Sequence, residues 1–300
     1  NFARAEQYLT DVDWTERAVF KIKHSDNAFL YFDRYETRGQ RVLVEPFALV
    51  WHAPQGDDSE PYVFLCEKAR LTFEREFQLG AASPGRMIGV ALDGAVLITG
   101  PHGLKLEGRD CVFSEDELQL YSDHHCKFAY RPEGERLQIV TGEADQLQID
   151  LTPVTYPALG RDLPRVAQRP QRLTLRKNVS LLFQTREKEG LRSTRIVSRG
   201  PFVYDFERRL ATFQDDVQVA RPVVTPEGQS MLDSLACAWL AVQFEEEPGA
   251  DTDGEGSLLA GDVTPILGRL RFRILRALGD AQHVVRVSSD QARFRGQMRD

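Results

Sequence analysis

The chain has 300 residues, 42% apolar, 9% aromatic and 28% charged, and its 38 Lys and Arg against 45 Asp and Glu leave a net charge of −7. That composition belongs to a folded protein with room for two domains or one long stack, and it excludes collagen-like and disordered chains. No apolar run approaches the roughly 18–20 residues that cross a bilayer as a helix; the longest is the eight residues 235–242.

From the start of the chain, residues 18–22, 28–32 and 47–51 read as strands, and 54–61 as a polar loop by its turn residues. Residues 62–65, 69–73 and 87–92 follow as strands. Asp93-Gly94 is a dipeptide favoured in tight hairpin turns, so 87–92 is expected to fold back on 95–99. Residues 104–106, 137–140 and 147–151 continue the pattern, the last alternating apolar and polar as a strand buried on one face must. Pro153, Pro157, Pro164 and Pro170 lie in a stretch poor in large apolar side chains. This marks a domain boundary, with a first module over 1–157 and a second over 158–300. Strands resume at 173–175 and 179–183. Residues 236–244 fit a strand, an acidic Gly-containing stretch at 245–257 interrupts, and 267–277, 284–287 and 292–294 close the chain. The closing piece reads as a third repeat cut short. No long helix is expected, and the chain is mostly β.

Two stretches 92 residues apart share one grammar. Gly108-Arg109-Asp110-Cys111-Val112-Phe113, a charged turn and Leu118-Gln119-Leu120-Tyr121 lead to Cys126-Lys127-Phe128. Gly200-Pro201-Phe202-Val203-Tyr204, a charged turn and Leu210-Ala211-Thr212-Phe213 lead to Val217-Gln218-Val219. At this single offset Gly108 matches Gly200, Val112 matches Tyr204, Glu115 matches Glu207, Leu118 matches Leu210 and Tyr121 matches Phe213. The third strand rejoins after a slip of one residue. A fixed period marks a repeat architecture whose units cannot bury their apolar face alone.

Few constellations point to chemistry. From Arg161 to Arg199 eleven basic residues face three acids, so that segment carries +8 and the remainder −15. Such a band suits an anionic partner such as a lipid headgroup, or is simply solvated. An acidic total and a basic band without interleaved aromatics argue against nucleic acid. Asp123-His124-His125-Cys126 spells the tetrapeptide of the protein S-acyltransferases, but their zinc-bound Cys-rich setting is missing, and two neighbouring His on a strand point to opposite faces. Asp251 to Asp262 has the acid and glycine spacing of a twelve-residue calcium loop. Asp at its last position and Pro248-Gly249 just upstream favour a flexible acidic loop instead, so no metal and no cofactor are expected. Phosphate-binding, nucleophile-elbow and zinc motifs do not occur. Cys111 and Cys126 fall on nearby expected strands and are the one candidate pair for a disulfide; Cys66 and Cys237 have no evident partner.

The order of a Gly start, an apolar strand, a charged turn, a strand ending on an aromatic, Asp-x-Val-x-Val and a Leu-x-Ile-x-Leu strand resembles the OstA-like periplasmic lipopolysaccharide-transport family, with modules of the LptA and LptC type. The residues 204–219 and 108–130 carry the likeness, 62–110 and 282–300 fit more loosely, and residues 1–60 have no counterpart. The resemblance implies an all-β fold of two stacked open β-jellyroll modules of antiparallel strands. It implies a non-enzymatic protein of the periplasm or cell envelope that holds an amphipathic, lipopolysaccharide-like lipid in an apolar groove and helps to pass it between membranes. Edge strands would join it to other jellyroll modules. The groove candidates are Val112, Leu118, Leu120, Phe128, Tyr204, Leu210, Val217 and Val219. The same alternation also fits a dry sandwich core, in which case the chain is a structural or protein-interaction β-repeat without ligand. A carbohydrate-acting β-protein would need two carboxylates about 5–10 Å apart in a cleft.

Overall fold

The structure is a computed structural model and describes residues 2–25, 27–52, 60–77, 87–114, 116–131, 137–153, 167–187, 190–224, 230–246, 270–280, 284–289 and 294–298. Among them stand eighteen β-strands and two short α-helices, so the all-β expectation holds. Most of the loop expected at 54–61, most of the proline-rich stretch and the calcium-like segment 251–262 lie outside the described residues. By contact the chain forms two compact units. The first comprises Asn1–His124, Ile149–Arg169 and Ser257–Asp262, and the second His125–Gln148, Pro170–Gly256 and Val263–Asp300. From sequence the cut is expected at 157/158; by contact it passes within two strands, β9 (Gln119–Tyr130) and β10 (Leu137–Pro153).

In the first unit, β1 (Phe20–Ser25) pairs β2 (Ala28–Phe32), which pairs β5 (Phe47–Trp51). The twelve-residue β6 (Tyr62–Phe73) is long enough to pair β5 through 62–66 and β4 (Arg41–Glu45) through 69–72. Then come β7 (Met87–Gly100) and β8 (Leu104–Ser114), all antiparallel. One face gathers Phe32, Phe47, Leu71, Phe73, Leu92 and Ile98 into a buried core. The opposite face of β2 and β5 is covered by α1 (Phe2–Glu6), α2 (Asp13–Glu16) and the turns beside them, which bury Phe29, Tyr31, Ala48 and Val50. Covered on both sides, β2 is buried at all five positions, which is why it reads Ala-Phe-Leu-Tyr-Phe without alternation. The helices were not expected: each spans little more than one turn, too short to show a helical period.

Asp93-Gly94 does not turn a hairpin. It is a bulge inside one fourteen-residue strand, where Leu92 pairs Cys111, Ala95 pairs Arg109, and two residues of β7 face the single Asp110. Gly94 takes φ +84° and donates its N–H to the Asp110 carboxylate at 2.8 Å, while Arg70 clamps Asp93 with two 2.8 Å hydrogen bonds. The left-handed preference of Asp-Gly is used, but between strands already held on both sides.

In the second unit, β11 (Ala167–Glu187) pairs β12 (Gly190–Ser198) through 179–187 and β13 (Phe202–Asp205) through 172–175. Both pair β14 (Leu210–Val224), which pairs β15 (Ser230–Glu246). Beyond β15 lie β16 (Leu270–Leu278) and β17 (Val285–Ser289), with β18 (Phe294–Met298) against β17. The strand expected at 236–244 lies within β15. A second bulge sets Asp215 and Asp216, both at positive φ, between the pairs Gln214–Trp239 and Val217–Cys237. Beside it Asn178, at φ +51°, donates its N–H to the Arg199 carbonyl, and Arg199 donates to the Asp215 carbonyl. Gly200 sits where a Cβ would collide with the Asp215 carboxylate.

Candidate functional site

Directly opposed residues of antiparallel strands share a face, so the register of the second unit sorts its side chains. One cross-strand row runs Leu175–Phe202–Phe213–Leu240 and is buried throughout, with the Phe202 and Phe213 rings 4.8 Å apart. Beside it Tyr204 opposes Ala211, and Val217 opposes Cys237, all four buried. Past the bulge the same face continues as Leu181–Ile196–Val219–Leu235–Val287. Along this last row Leu181 and Ile196 are 2% and 4% exposed, whereas Val219, Leu235 and Val287 are only half-buried. The inner face is therefore apolar across β11, β12, β14, β15 and β17; along this row the cover thins toward Val287, while Val285 on the same strand is buried. Phe128 of β9 joins it: a Cβ at Gly142 on β10 would strike the Phe128 ring and the Leu181 side chain together.

The predicted groove residues divide by face. Phe128, Tyr204, Val217 and Val219 lie on this inner face. Leu210 opposes Asp205 and Gln243, one residue out of step with the buried pair Tyr204–Ala211, and points the other way. Val112 opposes Ala91, out of step with the buried pair Leu92–Cys111, and faces outward likewise. Leu120 is half-buried and in step with buried Ser122. Leu118 is half-buried in the turn before β9 at φ +51°, its carbonyl accepting the Leu151 N–H at 2.8 Å. The correction has one cause. Turn geometry and burial correspond at an offset of 91, not 92: Leu118 at φ +51° answers Arg209 at φ +52°, and buried Cys111 and Ser122 answer buried Phe202 and Phe213. A shift of one residue exchanges the two faces of a strand, so a match made at 92 assigns Val112 and Leu210 to the wrong face. Ile196, Leu235 and Val287 are inner-face residues outside the two matched stretches, and Phe202 and Phe213 lie within them without being among the groove candidates.

The polar candidates sit elsewhere. Arg172, Arg176 and Arg195 of the basic band are exposed and out of step with the inner row; Arg195 donates to Ser180 Oγ, and Arg176 is bonded to Gln148. His124 and His125 turn to different partners, His124 to Asp110 at 3.0 Å and His125 to Asp145 at 2.9 Å. Asp145 also accepts from Asn178 Nδ2 at 2.7 Å, and these hydrogen bonds, the Asn178 one first, hold its carboxyl below the ordinary range. Among the described residues no group of three His, Cys, Asp or Glu is placed to hold a metal ion. All four cysteines are buried free thiols, Cys111 and Cys126 included. Burial raises Cys66 to about 12 and Cys111 and Cys237 to about 11, so these thiols stay protonated and unreactive at neutral pH. No family model, no curated protein and no solved structure matches the chain.

Proposed function

We propose that this chain is a non-enzymatic envelope protein that carries an amphipathic, lipopolysaccharide-like lipid, its acyl chains lying along the inner face of the second unit, in the manner of the OstA-like transport modules it resembles. What supports the reading above all is the row Leu181–Ile196–Val219–Leu235–Val287, apolar across five strands and half-uncovered over its last three residues. Ligand sites for apolar groups are lined in this way, with few polar groups. A packed sandwich would bury such residues fully, as the first unit buries Phe32 and Phe73. Modules of the same kind are the partners that edge-strand addition would recruit.

A displaceable fluorescent fatty acid, followed by native mass spectrometry, tests this. Uptake at micromolar concentration is expected, with Val219→Asp weakening it at least tenfold and the outward-facing Leu210→Asp leaving it nearly unchanged, both variants being checked for folding. Absence of binding by the folded wild-type chain would leave the ligand-free scaffold as the better reading.

A further inference from the structure

His52 follows β5 and is 7% exposed, and neither of its ring nitrogens has a hydrogen-bond partner among the described residues. Its ring stands edge-on to Tyr8 at 6.1 Å and to Phe29 at 6.2 Å. Tyr8 belongs to the helical segment 2–18, which lies over the outer face of β2, β5 and β6 through Phe2, Ala5, Leu9 and Trp14. Glu6 on the segment is paired with Lys21 of β1 at 2.7 Å. The imidazole is thus part of the seam between segment and sheet, buried without an acceptor for a second proton among the described residues. Burial first, and then the positive charge of Arg4 on α1, hold His52 below its ordinary value of 6.5. Tyr8 and Phe29, its ring neighbours, offer no anion.

We infer that His52 is an acid-sensitive latch: the segment 2–18 stays closed over the first sheet while the imidazole is neutral and lifts when it takes a proton. With the segment raised, the ring reaches water and binds a proton near 6.5, whereas the closed form resists it. Closure therefore weakens as pH falls below 6.5 and is complete above it. Lifting uncovers Phe29, Tyr31, Val50 and Val63, an apolar face on the side of the sheet opposite the first core.

Hydrogen exchange read by mass spectrometry at pH 7.5 and 5.5, corrected for the intrinsic rate, tests the latch on the whole chain. Peptides covering 2–18, 28–32 and 47–51 should exchange up to about tenfold faster at pH 5.5, the most that one histidine delivers one pH unit below its free value, while 87–100 keeps its protection. His52→Phe, which keeps the ring contacts, should abolish the response. Arg4→Gln should shrink it, and it carries the test if His52→Phe does not fold. His24→Phe should leave it intact. Equal protection at both pH values, a response that survives His52→Phe, or loosening of 87–100 in step with 2–18 would each overturn the proposal.

Discussion

The two units put one kind of strand to opposite ends. In the first, Phe32, Phe47, Phe73 and Phe77 gather into one buried core, and the apolar gap beside Ile22, His24 and Leu30 is about 10 Å³, room for no more than one water. In the second, the inner face carries Phe128, Phe202, Tyr204 and Phe213, and the row Val219–Leu235–Val287 is left half-buried. Alternation makes a one-sided sheet in both. Side-chain volume sets how deeply each inner row is buried.

The same deletion made in each unit tests the contrast most strongly. Leu71→Ala, 2% exposed within the first core, should cost about 2–5 kcal/mol, whereas Leu235→Ala on the half-buried row should cost no more than about 2 kcal/mol, both from denaturant midpoints. Equal costs would mean that the second unit is as tightly sealed as the first. Gly142→Ala drives a methyl against Phe128 and Leu181 and should cost about 1–3 kcal/mol; a neutral result would show that Phe128 has free space to swing into, which sharpens the groove reading.

Acid should separate the units as well. Burial lowers both His24 and His52 below 6.5 in the first unit, so its stability is greatest above that value and falls as pH drops below it. In the second unit Asp145 is held below 3.8, and its contribution persists until pH falls through its own lowered value. Exchange protection at pH 5.5 should therefore weaken first in residues 2–52, and earlier loss in 170–220 would contradict the assignment. The smallest effect is expected at the exposed network itself: Asp145→Asn should shift stability by no more than about 0.5 kcal/mol, as surface pairs do.

Particular residues show how far the chain could be read unaided. Residues 28–32, 47–51 and 236–244 are strands because β-branched and aromatic residues alternate or cluster there between turn signals. Asp93-Gly94 misled because the same left-handed φ serves a hairpin turn and a bulge, and only the partners β6 and β8 distinguish them. Val112 and Leu210 misled because a match at offset 92 looks better by residue type than the face-preserving 91. Parity is not carried by similarity; the left-handed turn residues and the paired strands impose it. The helical segment was hidden because packing on a sheet, and not helical period, holds its single turns.

Local chemistry within the chain determined that it would be β and roughly where each strand would run. Which side of a strand faces inward, which inner face closes and which stays half-uncovered, and which histidine is buried away from water were decided in three dimensions. Strand formation depends on neighbours two residues apart, whereas face, sealing and desolvation depend on side chains that pairing brings together from tens of residues away.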